Sequence, residues 1–265
     1  MPELQLSLDI LTLLFITGMV AGMVDAIAGG GGLIALPVLL ATGMPPIQAL
    51  ATNKLQGSFG TFSSSLYFIR NGLVSLKEIR FMIACTFVGS ASGTLIVQNI
   101  STDSLARVIP LLLIGIAIYF LLSPRISDEQ HPARISTQLF SLIIGFGIGF
   151  YDGFFGPGAG SFFAIGFVGL LGFGLTRATA HTKILNLTSN IASLGFFALS
   201  GYVIWSIGLT MGIGQLIGAR IGARLVLRRG VTLIRPMIVI ISILISLKLL
   251  LSNHPELLGW LGFSG

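Results

Sequence analysis

Two aspartates and two lysines stand in or at the edge of long apolar stretches, where an ionised group is costly. Asp25 follows an apolar run and opens onto the glycines at 29–32; Asp152 stands likewise before Gly156-Pro157-Gly158-Ala159-Gly160. Lys54 and Lys183 each lie just inside a later apolar run, in Thr52-Asn53-Lys54 and His181-Thr182-Lys183. An ionisable group at membrane depth costs about 2.5–3.5 kcal/mol on insertion scales. Four of them cost on the order of 10 kcal/mol, comparable with the whole net stability of a domain. They must be paired, hydrated in a cavity, or close to an interface. Each also has an ordinary explanation: an Asp near a helix end caps amides, and a Lys near an end snorkels to headgroups. Recurrence at matching places in the chain favours a shared central site.

The glycines next to the aspartates suggest which ligand. Gly and Pro disfavour continuous helix by about 1 and 3 kcal/mol per residue, so breaks are expected at Gly30 and Gly31 and around Gly158. A helix restarting after such a break turns free amides and a positive dipole end toward the middle of a bundle, which suits an anion. Tight turns between two spans are the other reading. Around the lysines, Thr52, Asn53, Gln56, Ser58 and Thr61 are matched by His181, Thr182, Asn186, Thr188, Ser189 and Asn190. Amides and hydroxyls can replace the hydration shell of an oxyanion, or join helix to helix. His181 could shuttle a proton or serve as a hydrogen-bonded structural residue.

Ten apolar runs would position these groups: 8–28, 31–43, 50–70, 79–98 and 105–122, then 137–152, 156–172, 181–199, 203–226 and 233–251. A span needs about 20 residues, so the second, sixth and seventh runs are short, and eight to ten crossings are expected. The hydrophilic stretch 123–136 divides the chain. On either side, three blocks recur in order: VDAIAGGGG with YDGFFGPGA, QALATNKL with RATAHTKI, and VGSASG with IGARIG. Asp25 and Asp152 are 127 residues apart; Lys54 and Lys183 are 129 apart, as is the third block. Such duplication is frequent in transporters. The loop near 70–80 carries Arg70, Lys77 and Arg80 and its counterpart near 200–206 carries no charge, while the loop near 224–235 is rich in Arg and its counterpart near 99–107 is not. Under the positive-inside rule equivalent loops lie on opposite sides, so the repeats are inverted, with five crossings each. Gly89-x-x-x-Gly93 and Gly218-x-x-x-Gly222 read as close helix contacts.

Composition agrees. Of 265 residues 54% are hydrophobic and 9% charged, too few charges to solvate a globule's surface. The net charge of +6 sits in short loops rather than on one face, which argues against nucleic acid. The acidic start, MPELQLSLD, does not read as a cleaved signal peptide. The single Cys85 excludes a disulfide framework within the chain. No phosphate-binding G-x-x-x-x-G-K-[ST] loop, G-x-S-x-G elbow, H-E-x-x-H pair or haem motif occurs, so neither an ATP-driven pump nor an enzyme is expected.

In order, residues 22–40 (GMVDAIAGGGGLIALPVLL), 49–56 (ALATNKLQ), 151–163 (YDGFFGPGAGSFF) and 178–190 (ATAHTKILNLTSN) resemble the TauE/SafE family, also called the sulfite exporter or toluene-sulfonate uptake permease family. The resemblance covers essentially the whole chain. It implies a bacterial inner-membrane permease with duplicated halves, of a family associated with export or uptake of sulfite, sulfonates and related organic anions.

The expected protein is an all-α, multi-pass membrane protein of the bacterial inner membrane with eight to ten transmembrane segments. It has a first repeat at 1–122, a cytoplasmic linker at 123–136 and a second, inverted repeat at 137–265. Its expected function is secondary transport of a small anion, such as sulfite or an organosulfonate, by alternating access. Lys54, Lys183, Asn53, Thr52, His181, Thr182, Asn186, Asn190, Gly30, Gly31 and Gly158 are the candidate substrate-binding residues. Asp25 and Asp152 would hold the broken helices or carry coupling protons. The expected partners are the anion and the lipid bilayer, with no nucleic acid, cofactor or metal; the oligomeric state is open, a homo-oligomer included. A cation- or proton-coupled transporter centred on the aspartates and a non-transporting membrane subunit are the alternatives.

Overall fold

The computed structural model describes residues 8–122 and 129–229. The expected run at 233–251 and the first part of the linker lie outside them. Every regular element described is helical: α1 (Leu8–Ala28), α2 (Gly31–Ala41), α3 (Pro46–Arg70), α4 (Arg80–Val97), α5 (Thr102–Leu122), α6 (Thr137–Phe140), α7 (Phe146–Phe154), α8 (Ala159–Leu171), α9 (Leu175–Leu199) and α10 (Trp205–Arg229). A π-helical turn (Ser141–Gly145) joins α6 to α7, so 137–154 forms one unbroken rod. Ser136 caps its start by accepting the Leu139 N–H at 3.2 Å.

Helix length separates two kinds of element. α1 and α4 are long and apolar enough to cross a bilayer. α3, α9 and α10 have 25 residues each, about 37 Å at 1.5 Å per residue. α2 and α8, with 11 and 13 residues, reach about 16 and 20 Å, short of a hydrocarbon core of about 30 Å. Both short helices begin at the expected glycine breaks.

Small residues set the packing. On α1 and α10, Gly18 meets Met211, Gly22 meets Gln215, and Gly218 meets Met19. The residue numbers rise together, so these helices run in the same direction. On α4 and α7, Gly145 approaches Met82, Gly149 meets Thr86, and Gly89 meets Phe146, again in parallel. A Cβ at Gly218 or Gly89 would overlap the facing carbonyl. α3 runs parallel to α10, with Leu55 on Gly208 and Phe59 on Gly212. α4 runs parallel to α9, joined by Ser90 to the Ser189 carbonyl (2.8 Å) and Thr94 to Ser193 (2.9 Å). α3 and α9 run in opposite directions. Ile204, just past the end of α9, donates to Thr52 near the start of α3 at 3.1 Å, while Glu78, past the end of α3, shares a cavity with His181 near the start of α9.

These directions gather charge. Arg70, Lys77, Arg80, Arg134, Arg177, Arg220, Arg224 and Arg228 fall at one end of the bundle, where Arg220 stacks on Tyr67. Asp9, Asp103 and Arg107 fall at the other. Large apolar side chains face outward between the ends, among them Leu13, Phe62, Ile143, Ile191 and Ile213. A soluble domain rarely exposes so many large apolar side chains. Two apolar clusters, one around Leu36, Leu50 and Ile207 and one around Phe68, Phe140 and Phe167, pack the interior and leave the polar residues of α3 and α9 together.

Candidate functional site

The four ions meet in two crossed pairs. Lys54 Nζ on α3 donates to Asp152 Oδ1 on α7 at 2.6 Å and to the Asp152 carbonyl. Lys183 Nζ on α9 donates to Asp25 Oδ2 on α1 at 3.0 Å and to the Asp25 carbonyl. The lysine side chains are only 2% and 0% exposed, so burial is matched by pairing, one of the outcomes their cost demands. Each aspartate stands in the last turn of its helix, where carbonyls lack intrahelical partners and the dipole end is negative. One ammonium therefore serves a carboxylate and a helix end together.

Beyond each aspartate the chain breaks. Gly29 has φ +75, and Gly156 and Gly158 have φ +100 and +85, a left-handed backbone that a side chain would strain. α2 and α8 restart with Gly30 and Gly158 as N-caps and no side chain capping their first amides. The two breaks touch. Gly29 lies against Gly160, and Gly32 against Pro157. Ser161 donates to the Ala28 carbonyl, and Tyr151 Oη to the Pro157 carbonyl at 2.6 Å.

Between the breaks and the ion pairs lies a cavity of about 40 Å³, room for a few waters. Lys54, Asp152 and Asp25 border it, with Asn53, Gln56, Asn186, Asn190 and Gln215. Gln56 donates to Asn53 Oδ1 at 2.7 Å and Asn190 to Thr61 Oγ1 at 3.3 Å. Gln56 Oε1, Asn186 Oδ1 and Gln215 Oε1 are buried with no hydrogen-bond partner. Such groups are exceptions in folded proteins. An amide can turn either its carbonyl or its NH₂ to a ligand, so the three form unused binding capacity around one small space.

Of the candidate residues, Lys54, Asn53, Asn186, Asn190, Gly158, Asp25 and Asp152 border this cavity, and Lys183 lies behind Asp25 without lining it. Thr52, His181, Thr182, Gly30 and Gly31 do not. Thr52 Oγ1 is engaged by Ile204. His181 lies toward the basic end, its Nδ1 on the Arg177 carbonyl at 2.8 Å and its ring against Phe167 and Phe173. Thr182 is buried in α9 away from the cavity, and Gly31 packs on Ala21 and Asp25. Ser189 bonds to Ser90 across helices, the joining role. Gln215 is the residue the sequence reading passed over. Its signal was a lone amide within an apolar, glycine-rich run, and Gly22 and Gly60 leave the room its side chain fills.

An all-helical bundle with an apolar exterior, broken helices and paired ions at the break defines a membrane transporter rather than an enzyme. The chain belongs to the TauE/SafE sulfite exporter family, whose sequence model matches residues 14–249. It is 53% identical over 256 residues to the probable membrane transporter protein YfcA of Escherichia coli (strain K12), covering 96% of this chain and 95% of that one. It is 46% identical over 260 residues to a probable membrane transporter protein of Haemophilus influenzae, covering 98% and 100%. A probable membrane transporter protein of Bacillus subtilis, YunE, is 25% identical over 240 residues, 80% of this chain and 86% of that one. No solved structure matches.

Proposed function

We propose that the protein is a secondary transporter of a small anion in the bacterial inner membrane, working by alternating access of two inverted repeats. The chain divides at the 123–136 linker, and a sulfur oxyanion such as sulfite or an organosulfonate is the proposed substrate class. The carrying observation is the meeting of two capless helix starts, α2 and α8, at a cavity bordered by three amides whose oxygens lack partners. Each Lys–Asp pair is internally neutral. With the C-terminal ends of α1 and α7 met by the two ammoniums, the helix N-termini of α2 and α8 supply a field that favours negative charge. Lys54 and Lys183 place that field by holding the ends of α7 and α1; Asn53, Asn186, Asn190 and Gln215 supply hydrogen bonds.

The inverted arrangement is supported by the opposed directions of α3 and α9, which carry the matching motifs, and by the paired glycine contacts. The basic end then faces the cytoplasm. A cation- or proton-coupled cycle is the second reading, because Asp25 and Asp152 border the same cavity and exchange of a proton would loosen either pair.

The test is ligand-dependent thermal stabilisation of purified protein with sulfite, sulfonates, thiosulfate, carboxylates and chloride, comparing wild type with Asn186→Ala. Binding to the folded state raises apparent stability, by about 2.7 kcal/mol at a ligand concentration of about 100 Kd. One anion should stabilise the wild type and lose at least tenfold in apparent affinity in the variant. Stabilisation by sodium or by protons alone, with every anion inert, would install the cation reading instead.

A further inference from the structure

The two ends of the α3–α9 pair are built from matching segments that are folded differently. After α3, Gly72 has φ +74 and the Leu73 N–H reaches the Phe68 carbonyl at 3.1 Å; after α9, Gly201 has φ +72 and the Tyr202 N–H reaches the Phe197 carbonyl at 3.1 Å. The turns are the same. Two residues later they part. Ile204 docks on Thr52 and α10 is helical from Trp205. At the 129-residue offset the counterparts of Ile204 and Thr52 are Ser75 and His181. These line an open cavity of about 490 Å³, and α4 is helical only from Arg80. Residues 76–79 stand apart from α4 as a single hydrogen-bonded turn and a bend.

The separation of that turn from α4 conflicts with its own residues. Ser75-Leu76-Lys77-Glu78 has the form of a capping box, Ser at the N-cap and Glu three residues on. Leu, Lys and Glu are better helix formers than the Trp-Ser-Ile-Gly that begins α10. Yet the Glu78 N–H goes to the Ser75 carbonyl at 3.1 Å rather than to its hydroxyl. The position equivalent to Thr52 carries a side chain able to accept, His181. His181 is 3% exposed, and its Nδ1 must donate to the Arg177 carbonyl, which leaves Nε2 as an acceptor where Thr52 offers Oγ1. A local signal that disagrees with the fold at one site is the mark of a segment under a competing demand.

We propose that the protein has a second state in which the two ends exchange conformations. Residues 76–79 wind onto α4 with Ser75 as N-cap, the Ser75 N–H closes on His181, and Thr52 releases Ile204 to open a matching cavity at the other end. The exchange rests on the alternating-access reading and gives it its moving parts. Because the framework contacts of α1 with α10 and α4 with α7 occur in matching sets, swapping the ends leaves the bundle's interior unchanged.

Disulfide trapping in native membranes tests it, in a Cys85→Ala background. Thr52→Cys/Ile204→Cys and Ser75→Cys/His181→Cys should both cross-link. Glu78→Gly should slow the second pair roughly fivefold and leave the first unslowed, since glycine weakens the wound turn. Cross-linking of 52 with 204 but never of 75 with 181, while Ser75→Cys alone reacts with a maleimide, overturns the proposal. So does a 75–181 rate indifferent to Glu78→Gly. Hydrogen exchange over residues 76–79 gives a reading free of cysteines: Ser75→Ala should speed it roughly fivefold, and no change counts against the wound state. These readouts need no substrate, so anion binding without exchange of the ends, or exchange without anion binding, would each leave the other statement standing.

Discussion

Each buried ammonium holds two acceptors from one aspartate, and removing it strands both. Breaking a buried pair by deleting one partner typically costs about 3–5 kcal/mol, whereas an apolar replacement of both is near neutral. Lys54→Met should therefore lower the melting temperature sharply or abolish recovery of folded protein, and Lys54→Met/Asp152→Leu should regain most of it. Thermal melting with size-exclusion profiles in detergent decides this; a double variant no better than the single would mean the pair is not the unit. The need for partners was legible in the sequence, because four ions in apolar runs cannot stand alone. The choice of partner was not. Nothing in the spacing says that Lys54 takes Asp152 rather than Asp25, since the contact joins residues 98 apart in the chain.

α1 meets α10, and α4 meets α7, where side chains are missing. Gly218 lies against the Met19 backbone, so even a methyl must displace α1 from α10. Gly195 on α9 has nothing near its missing Cβ. Gly218→Ala should cost about 1–3 kcal/mol by overpacking, and Gly195→Ala should be neutral or stabilising by up to about 1 kcal/mol through helix propensity. Melting temperatures of the two single variants check this contrast, and equal losses would refute the packing account. Both are glycines in helical runs, and the residue alone does not tell them apart. The small-x-x-x-small pattern did mark Gly218, while the helix it meets came from the fold.

At the scale of the molecule, helix direction sorts the charges. Segments far apart in sequence, from the end of α3 to the start of α4, before α6, at the start of α9 and along the last turns of α10, place eight described basic residues at one end. With that end cytoplasmic, Ser75→Cys should be labelled by an impermeant maleimide only from the inside and Trp205→Cys only from the outside, assayed in inverted vesicles and intact spheroplasts. Labelling of both from one side would exclude inverted repeats.

Composition, run lengths, the glycine breaks, the recurring Asp and Lys motifs and the swapped loop charges are local properties, and the sequence by itself determined them. They were enough for a helical membrane transporter. The tertiary structure decided which face of each helix the site would use. Successive helical residues point about 100° apart, so Asn53 and Lys54 border the cavity while Thr52 turns to Ile204. His181 and Thr182 face elsewhere while Lys183 reaches Asp25. Gln215 enters because α10 lies between α1 and α3, a neighbourhood set by packing across the whole chain.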